Sequence, residues 1–156
     1  MLSKYLWVFF ISMLPLIELR GAIPVGYSLN LPGWSVLIVS VIGNILPLPF
    51  IYIFARRFLL WGQSQPFIHS FCRFCLRKGE NAGKKLQEKG GRGLFVALML
   101  FVAIPLPGTG AWTGTLAASI LNMDFKSSMI ACIFGILIAA LIMTLASLGV
   151  SGLIAS

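Results

Sequence analysis

Two residues of opposite charge, Glu18 and Arg20, stand two positions apart in the heptapeptide ELRGAIP (residues 18–24), inside otherwise uncharged, apolar sequence. A carboxylate can take up and release a proton, and a guanidinium can hold an anion through its planar fork. Lys4 is the only charged residue before this motif, and Arg56 is the next one after it. A charge at mid-bilayer costs roughly 2.5–3.5 kcal/mol even on insertion scales, so such residues persist mainly where they have a partner and a task. Glu18 and Arg20 are therefore the leading candidates for a functional site. The alternative is a buried structural pair that fixes the local geometry and neutralises itself.

The elements that must position this pair are membrane elements. The chain of 156 residues is 58% hydrophobic and 10% charged, with mean hydropathy +0.96, far above the balance of a soluble domain of this size. Nine of its 12 basic residues fall between Arg56 and Arg92, which reads as a cytoplasmic connector under the positive-inside rule and not as a nucleic-acid surface. The expected location is the inner (cytoplasmic) membrane, crossed more than once. The N-terminal run Tyr5 to Ile17 resembles a signal peptide, but Glu18-Leu19-Arg20 occupies the place of a cleavage site, so its retention is expected.

Trp34 to Ala55 and Ser127 to Ser156 are uncharged runs long enough to cross a hydrocarbon core of about 30 Å. The apolar stretches Tyr5 to Ile17 and Gly93 to Pro107 are shorter, and as helices reach about 20–22 Å. Each runs into a cluster of helix breakers, first ELRGAIP and then IPLPGTGAWTG (residues 104–114), with two prolines and three glycines in its eleven residues. Backbone groups freed in such a cluster cannot face lipid; they must be buried in protein or line a wet cavity. A short apolar tail and a turn signal follow each cluster, at Pro32-Gly33 and at Asp124 to Lys126. The pattern predicts an all-α membrane protein of two repeats, each a re-entrant hairpin plus a transmembrane helix.

The halves align at Pro15-Leu16 with Pro105-Leu106, Gly21-Ala22 with Gly110-Ala111, and Leu29-Asn30 with Leu121-Asn122. Asn30 and Gly43 are thirteen positions apart, as are Asn122 and Gly135. The expected division is residues 1–55, a basic connector 56–92, and residues 93–156, all within one membrane domain. Paired Gly/Pro-interrupted segments at matching positions point to a transporter site near the midplane. The connector fixes the hairpins as entering from opposite faces, with both termini outside. A competing arrangement makes each hairpin a full kinked crossing, with both termini inside.

In the connector, Phe67, Phe71, Phe74 and Cys75 fall on one helical stripe, and Glu80/Lys84 and Lys84/Glu88 are i,i+4 pairs. An interfacial helix on anionic headgroups or a solvated topology signal both fit. His69, Cys72 and Cys75 have a spacing that could ligate zinc, but no fourth ligand accompanies them, and neither a metal nor a cofactor is expected. Cys132 lies in an apolar span, and three cysteines build no disulfide framework. Met99, Phe101, Met129 and Phe134 read as packing or lipid-facing residues.

At ELRGAIP and IPLPGTGAWTG the chain resembles the small multidrug export protein family over essentially its whole length. That family is similar, more distantly, to the DedA group of membrane proteins, whose core is described as two facing re-entrant hairpins and which is implicated in moving lipid carriers with proton coupling. The resemblance implies that Glu18, Arg20, Gly21 and Pro24 lie close to Pro105, Pro107, Gly108, Thr109, Gly110, Trp112 and Gly114. Broken-helix ends and a guanidinium suit an anionic headgroup, which makes Arg20 the anion contact and Glu18 the proton-coupling carboxylate. Thr109 and Asn44 could add polar contacts, and Trp112 a wall or gate; close packing of small residues is the equal alternative for the glycines and prolines.

The expected function is a small transporter of an amphiphilic or anionic lipid-like substrate. A multidrug or cationic exporter and a non-transport scaffold are the alternatives. An enzyme finds no support: His69 is the sole histidine, and no nucleophile–base constellation or catalytic residue stands out. Membrane lipids and a second copy of the chain, in a two-fold dimer, are the expected partners.

Overall fold

The computed structural model describes residues 2–15, 17–67, 69–70, 72–74, 77, 81, 92–106 and 109–155. Among them the protein is helical throughout, with no strand and seven defined helices: α1 (Leu2–Met13), α2 (Glu18–Ser28), α3 (Gly33–Ile45), α4 (Leu48–Gly62), α5 (Arg92–Ala103), α6 (Ala111–Ile120) and α7 (Phe125–Ala155). Gly33–Gly62 and Phe125–Gly149 are long and apolar enough to cross a membrane.

Helices α1, α3 and α5 stop near prolines, and α2 and α6 stop where the chain turns left-handed. Pro15 and Pro105 follow α1 and α5 closely; proline has no N–H, and it biases the residue before it away from helical geometry. The motif ELRGAIP differs from its expected role as a break. Gly21 and Pro24 lie inside α2, and the interruption comes earlier, at residues 14–17. The expected uninterrupted span Trp34 to Ala55 is divided at Leu46-Pro47, because Pro47 and Pro49 both lack the N–H that would continue the ladder. Helical bonding persists across the division through Leu46 N–H to Ile42 O (3.1 Å) and Ile51 N–H to Pro47 O (3.0 Å). Helix α4 then runs on past Arg56 and Arg57 to Gly62.

Helices α2 and α6 end in the same turn. Asn30 has φ 55° and Asn122 φ 54°, a left-handed conformation that asparagine tolerates better than most side chains. The N–H of Leu31 reaches Gly26 O (3.2 Å) and that of Asn30 reaches Tyr27 O (2.9 Å); Met123 to Ala118 (3.0 Å) and Asn122 to Ser119 (3.2 Å) repeat the pair. These are Schellman bonds, which satisfy carbonyls a helix end leaves open. Asp124 then caps α7, its Oδ2 accepting from the Ser127 N–H at 3.1 Å.

The packing repeats as well. Helix α3 crosses α1 at Gly43, where an added Cβ would stand 2.7 Å from Phe9 O; α7 crosses α5 at Gly135, where it would stand 2.6 Å from Met99 O. Only a residue without a side chain permits approaches this close between backbones. Between the halves, α2 packs on α7 and α4 on α6, burying Leu19, Ala22 and Ile23 with Ala131, Cys132 and Ile136 in one core.

Contacts at the helix ends orient the two hairpins. Lys4 Nζ donates to Leu29 O (3.0 Å) and Ser35 Oγ to Tyr5 Oη (3.2 Å), so α1 begins beside the α2–α3 turn. Arg92 and Phe95 border a shallow cavity with Ser127, so α5 begins beside the α6–α7 turn. At that same end the Tyr52 hydroxyl of α4 donates to Met123 O, and Ser119 Oγ donates to Tyr52 O (3.1 Å). Cys72 is buried there against Leu59 and Ile120. In the connector, Phe67 is 98% exposed and Phe74 is exposed too, while Phe71, Cys75, Glu80, Lys84 and Glu88 lie outside the described residues.

Candidate functional site

The loops of the two hairpins meet, and the first motif supplies the side chains that join them. Glu18 opens α2 with φ 51°, a left-handed conformation held by what its side chain does. Its carboxylate is 4% exposed and accepts two backbone bonds, from Ala111 N–H to Oε2 (3.1 Å) and from Trp112 N–H to Oε1 (3.0 Å). Those donors belong to the first turn of α6, where N–H groups have no partner within the helix and the dipole is positive. A carboxylate there forms charge-assisted bonds, about twice as strong as neutral ones.

Arg20 does the reverse at the other side of the same break. Its guanidinium donates to Ile104 O (3.0 Å), to Leu106 O and to Thr109 Oγ1 (3.0 Å). Helix α5 has just ended at Ala103, so these oxygens lie at the negative end of its dipole, which a cation stabilises. Thr109 Oγ1 also donates toward Ile104 O and Leu106 O, both at 2.8 Å, and so closes the loop on itself. The anion faces the helix that starts and the cation the helix that stops.

A third side chain reaches across in the opposite direction. Trp112 Nε1 donates to Met13 O (3.1 Å), the last carbonyl of α1. Each hairpin thus completes open backbone groups of the other, across about ninety residues of sequence. Gly110 makes the approach possible. Its φ of 135° and ψ of −174° form a conformation essentially reserved for glycine, and a Cβ there would sit 2.4 Å from Glu18 Oε2.

Of the residues picked from sequence, Glu18, Arg20, Thr109, Gly110 and Trp112 come together here, and Pro105 lies between the two carbonyls that Arg20 reads. Gly21 and Pro24 sit within α2 instead: Gly21 faces Ile17, and the Pro24 carbonyl accepts from Ser28 Oγ (3.0 Å). Gly114 packs on Val102 of its own hairpin. Asn44 is buried in α3 with its Oδ1 unpartnered among the described residues, as is Ser40 Oγ one turn earlier. Pro107 and Gly108 lie outside the described residues. Sequence reasoning missed the backbone of Met13, Ile104, Leu106 and Ala111. The signal was present in part, since a carboxylate has most to gain from the open N–H groups that follow a Gly-rich break.

A family model described as "Putative small multi-drug export protein" matches residues 18–142, a segment that contains both motifs, the first long apolar run and the first part of the second. The chain belongs to this family. Its description is that of an export protein, in keeping with a chain that has two helices long and apolar enough to cross a membrane. No curated protein and no solved structure matches the chain, and the family match does not reach the DedA group.

Proposed function

We propose that this small multidrug export family member is a membrane transporter of two inverted repeats, whose re-entrant hairpins enter from opposite faces and meet near mid-bilayer. The observation that carries this reading is the double capping of the α5–α6 break, with Glu18 on the helix start and Arg20 on the helix end. Discontinuous helices with charged groups at their open ends are how many transporters build a binding site at the midplane. Each hairpin's first helix has 12 residues, about 18 Å, so one alone falls short of a core of about 30 Å while two entering from opposite faces, about 36 Å together, reach far enough to meet inside it. The paired Asn turns and paired glycine crossings support the repeat.

In this reading the latch between the hairpins is the gate. Protonating Glu18 removes the charge that holds the first turn of α6, and so couples a proton to opening. Arg20 exchanges its bonds to loop oxygens for bonds to the anionic group of an amphiphilic or lipid-like substrate.

The test is transport in proteoliposomes under a pH gradient, with a lipid phosphate in one arm and a cationic dye in the other. Arg20→Lys keeps the charge and loses the fork; one lost charge-assisted bond of about 1.5–3 kcal/mol slows transport roughly ten- to a hundredfold. Glu18→Gln flattens the pH dependence. A Glu18→Gln/Arg20→Gln variant that folds and transports at full rate makes the latch purely structural and ends the reading. Faster movement of the dye than of the phosphate would replace the anionic substrate with a cationic one.

A further inference from the structure

Where α4 lies against α6, a cavity of about 560 Å³ opens on the outside of the bundle, lined by Phe50, Ile51, Ile53, Phe54, Arg57 and Trp112. Its walls are hydrocarbon and aromatic apart from one guanidinium. Arg56 and Arg57 are neighbours in sequence but differ in surroundings. Arg56 lies within electrostatic reach of the Tyr52 hydroxyl, whereas Arg57 has no hydrogen-bond or ion-pair partner among the described residues. Arg57 sits one helical turn before the end of α4 at Gly62, and Phe50 lies two turns further in, about 10 Å along the axis.

We propose that this cavity is a binding site for an anionic phospholipid, with its phosphate on Arg57 and one acyl chain running past Phe54 and Phe50 to the Trp112 ring. Arg57 is at the end of the molecule where the basic connector begins and where Arg92 opens α5. The positive-inside rule gives that end to the cytoplasmic leaflet, the leaflet that carries anionic lipid. An exposed apolar face alone would meet any lipid. A cation without a partner among the described residues discriminates among headgroups, because an anionic lipid brings a phosphate that no choline or ethanolamine cation of its own neutralises. The inner end of the chain touches the residue whose N–H groups hold Glu18 and Met13. This inference deepens the transporter reading by supplying a lateral entry for an amphiphile, but lipid selectivity stands or falls independently of transport.

The experiment uses the full chain with Trp7, Trp34 and Trp61 replaced by Phe, leaving Trp112 as the sole indole. It is placed in phosphatidylcholine vesicles containing a small fraction of brominated lipid, either phosphatidylglycerol or phosphatidylcholine. A site of this kind gives about fivefold stronger apparent binding of the brominated anionic lipid, read from quenching of Trp112, as expected for one basic residue at the membrane surface. Arg57→Gln abolishes the preference, Arg57→Lys keeps much of it, and Arg92→Gln, outside the cavity, leaves it unchanged. Equal quenching by both lipids, or a preference that survives Arg57→Gln, overturns the proposal. So does a lack of quenching by either, which means the face is covered by protein. Transport by a chain without lipid preference would reject this site and leave the gate standing; lipid preference without transport would do the opposite.

Discussion

The two hairpin breaks use the same plan with opposite materials. The first, between Met13 and Glu18, is short and is followed at once by charged side chains; the second, between Ala103 and Ala111, is longer and presents backbone at its described residues. Arg20 and Glu18 give the first hairpin a cation and an anion, and the second answers with two carbonyls, a hydroxyl and two N–H groups. The difference teaches that similarity of sequence at two breaks does not make them equivalent parts. One hairpin carries the keys and the other the lock, so corresponding substitutions should have unequal costs.

The sharpest test compares aligned glycines. Gly110→Ala places a methyl against the Glu18 carboxylate in a backbone conformation closed to alanine, and should cost on the order of 3 kcal/mol or more, read as loss of folded protein in a detergent melt. Gly21→Ala meets the Cγ2 methyl of Ile17 at 2.1 Å, which a change of that side chain's χ1 must clear, but the position keeps ordinary helical backbone, so the loss should stay nearer about 1–2 kcal/mol. Equal losses at both positions would mean that the breaks are equivalent after all.

The second test removes the key. Glu18→Ala leaves one buried and one half-buried N–H group without their partner, and at about 1–3 kcal/mol for the buried one and less for the other a loss of about 2–4 kcal/mol is expected by the same melt. The smallest effect sharpens the comparison from the other side. Where the halves are alike, at Asn30 and Asn122, substitution by Ala should cost about 1 kcal/mol at each site, and by similar amounts. A large inequality there would undermine the repeat.

Much of this was legible beforehand. The long apolar runs, the short ones and the helix breakers that follow each short run come from hydropathy, proline and glycine, whereas Asn30 and Asn122 serve in the sequence only as anchors of the repeat, with the turns expected just after them at Pro32-Gly33 and Asp124 to Lys126. The beginning of α2 was not. Gly21 and Pro24 argue locally against helix, yet burial of Leu19, Ala22 and Ile23 on α7 outweighs them. Proline at the seventh residue of α2 costs the bond to the Arg20 carbonyl, a loss that tertiary packing offsets. Reading a break there also hid the fate of the charged pair. Residues two apart on a helix point to different sides, so once α2 is helical Glu18 and Arg20 cannot simply neutralise each other. Their partners, mostly backbone atoms some ninety residues away, leave no mark in the identity of any side chain.

The span of that latch bears on how the chain is made. Ribosomes add about 5–20 residues per second, so Glu18 emerges roughly 5–20 s before Trp112 exists to receive it. During that interval the first hairpin holds a carboxylate and a guanidinium whose acceptors and donors have not been synthesised. If the hairpins are re-entrant as proposed, both charges must wait in the insertion machinery or at the headgroup layer, and the first hairpin can settle to its final depth only when its counterpart arrives. Biogenesis of the two halves is thereby concerted, and a nascent chain released after Gly62 should be cleared by membrane quality control and not accumulate as half a protein.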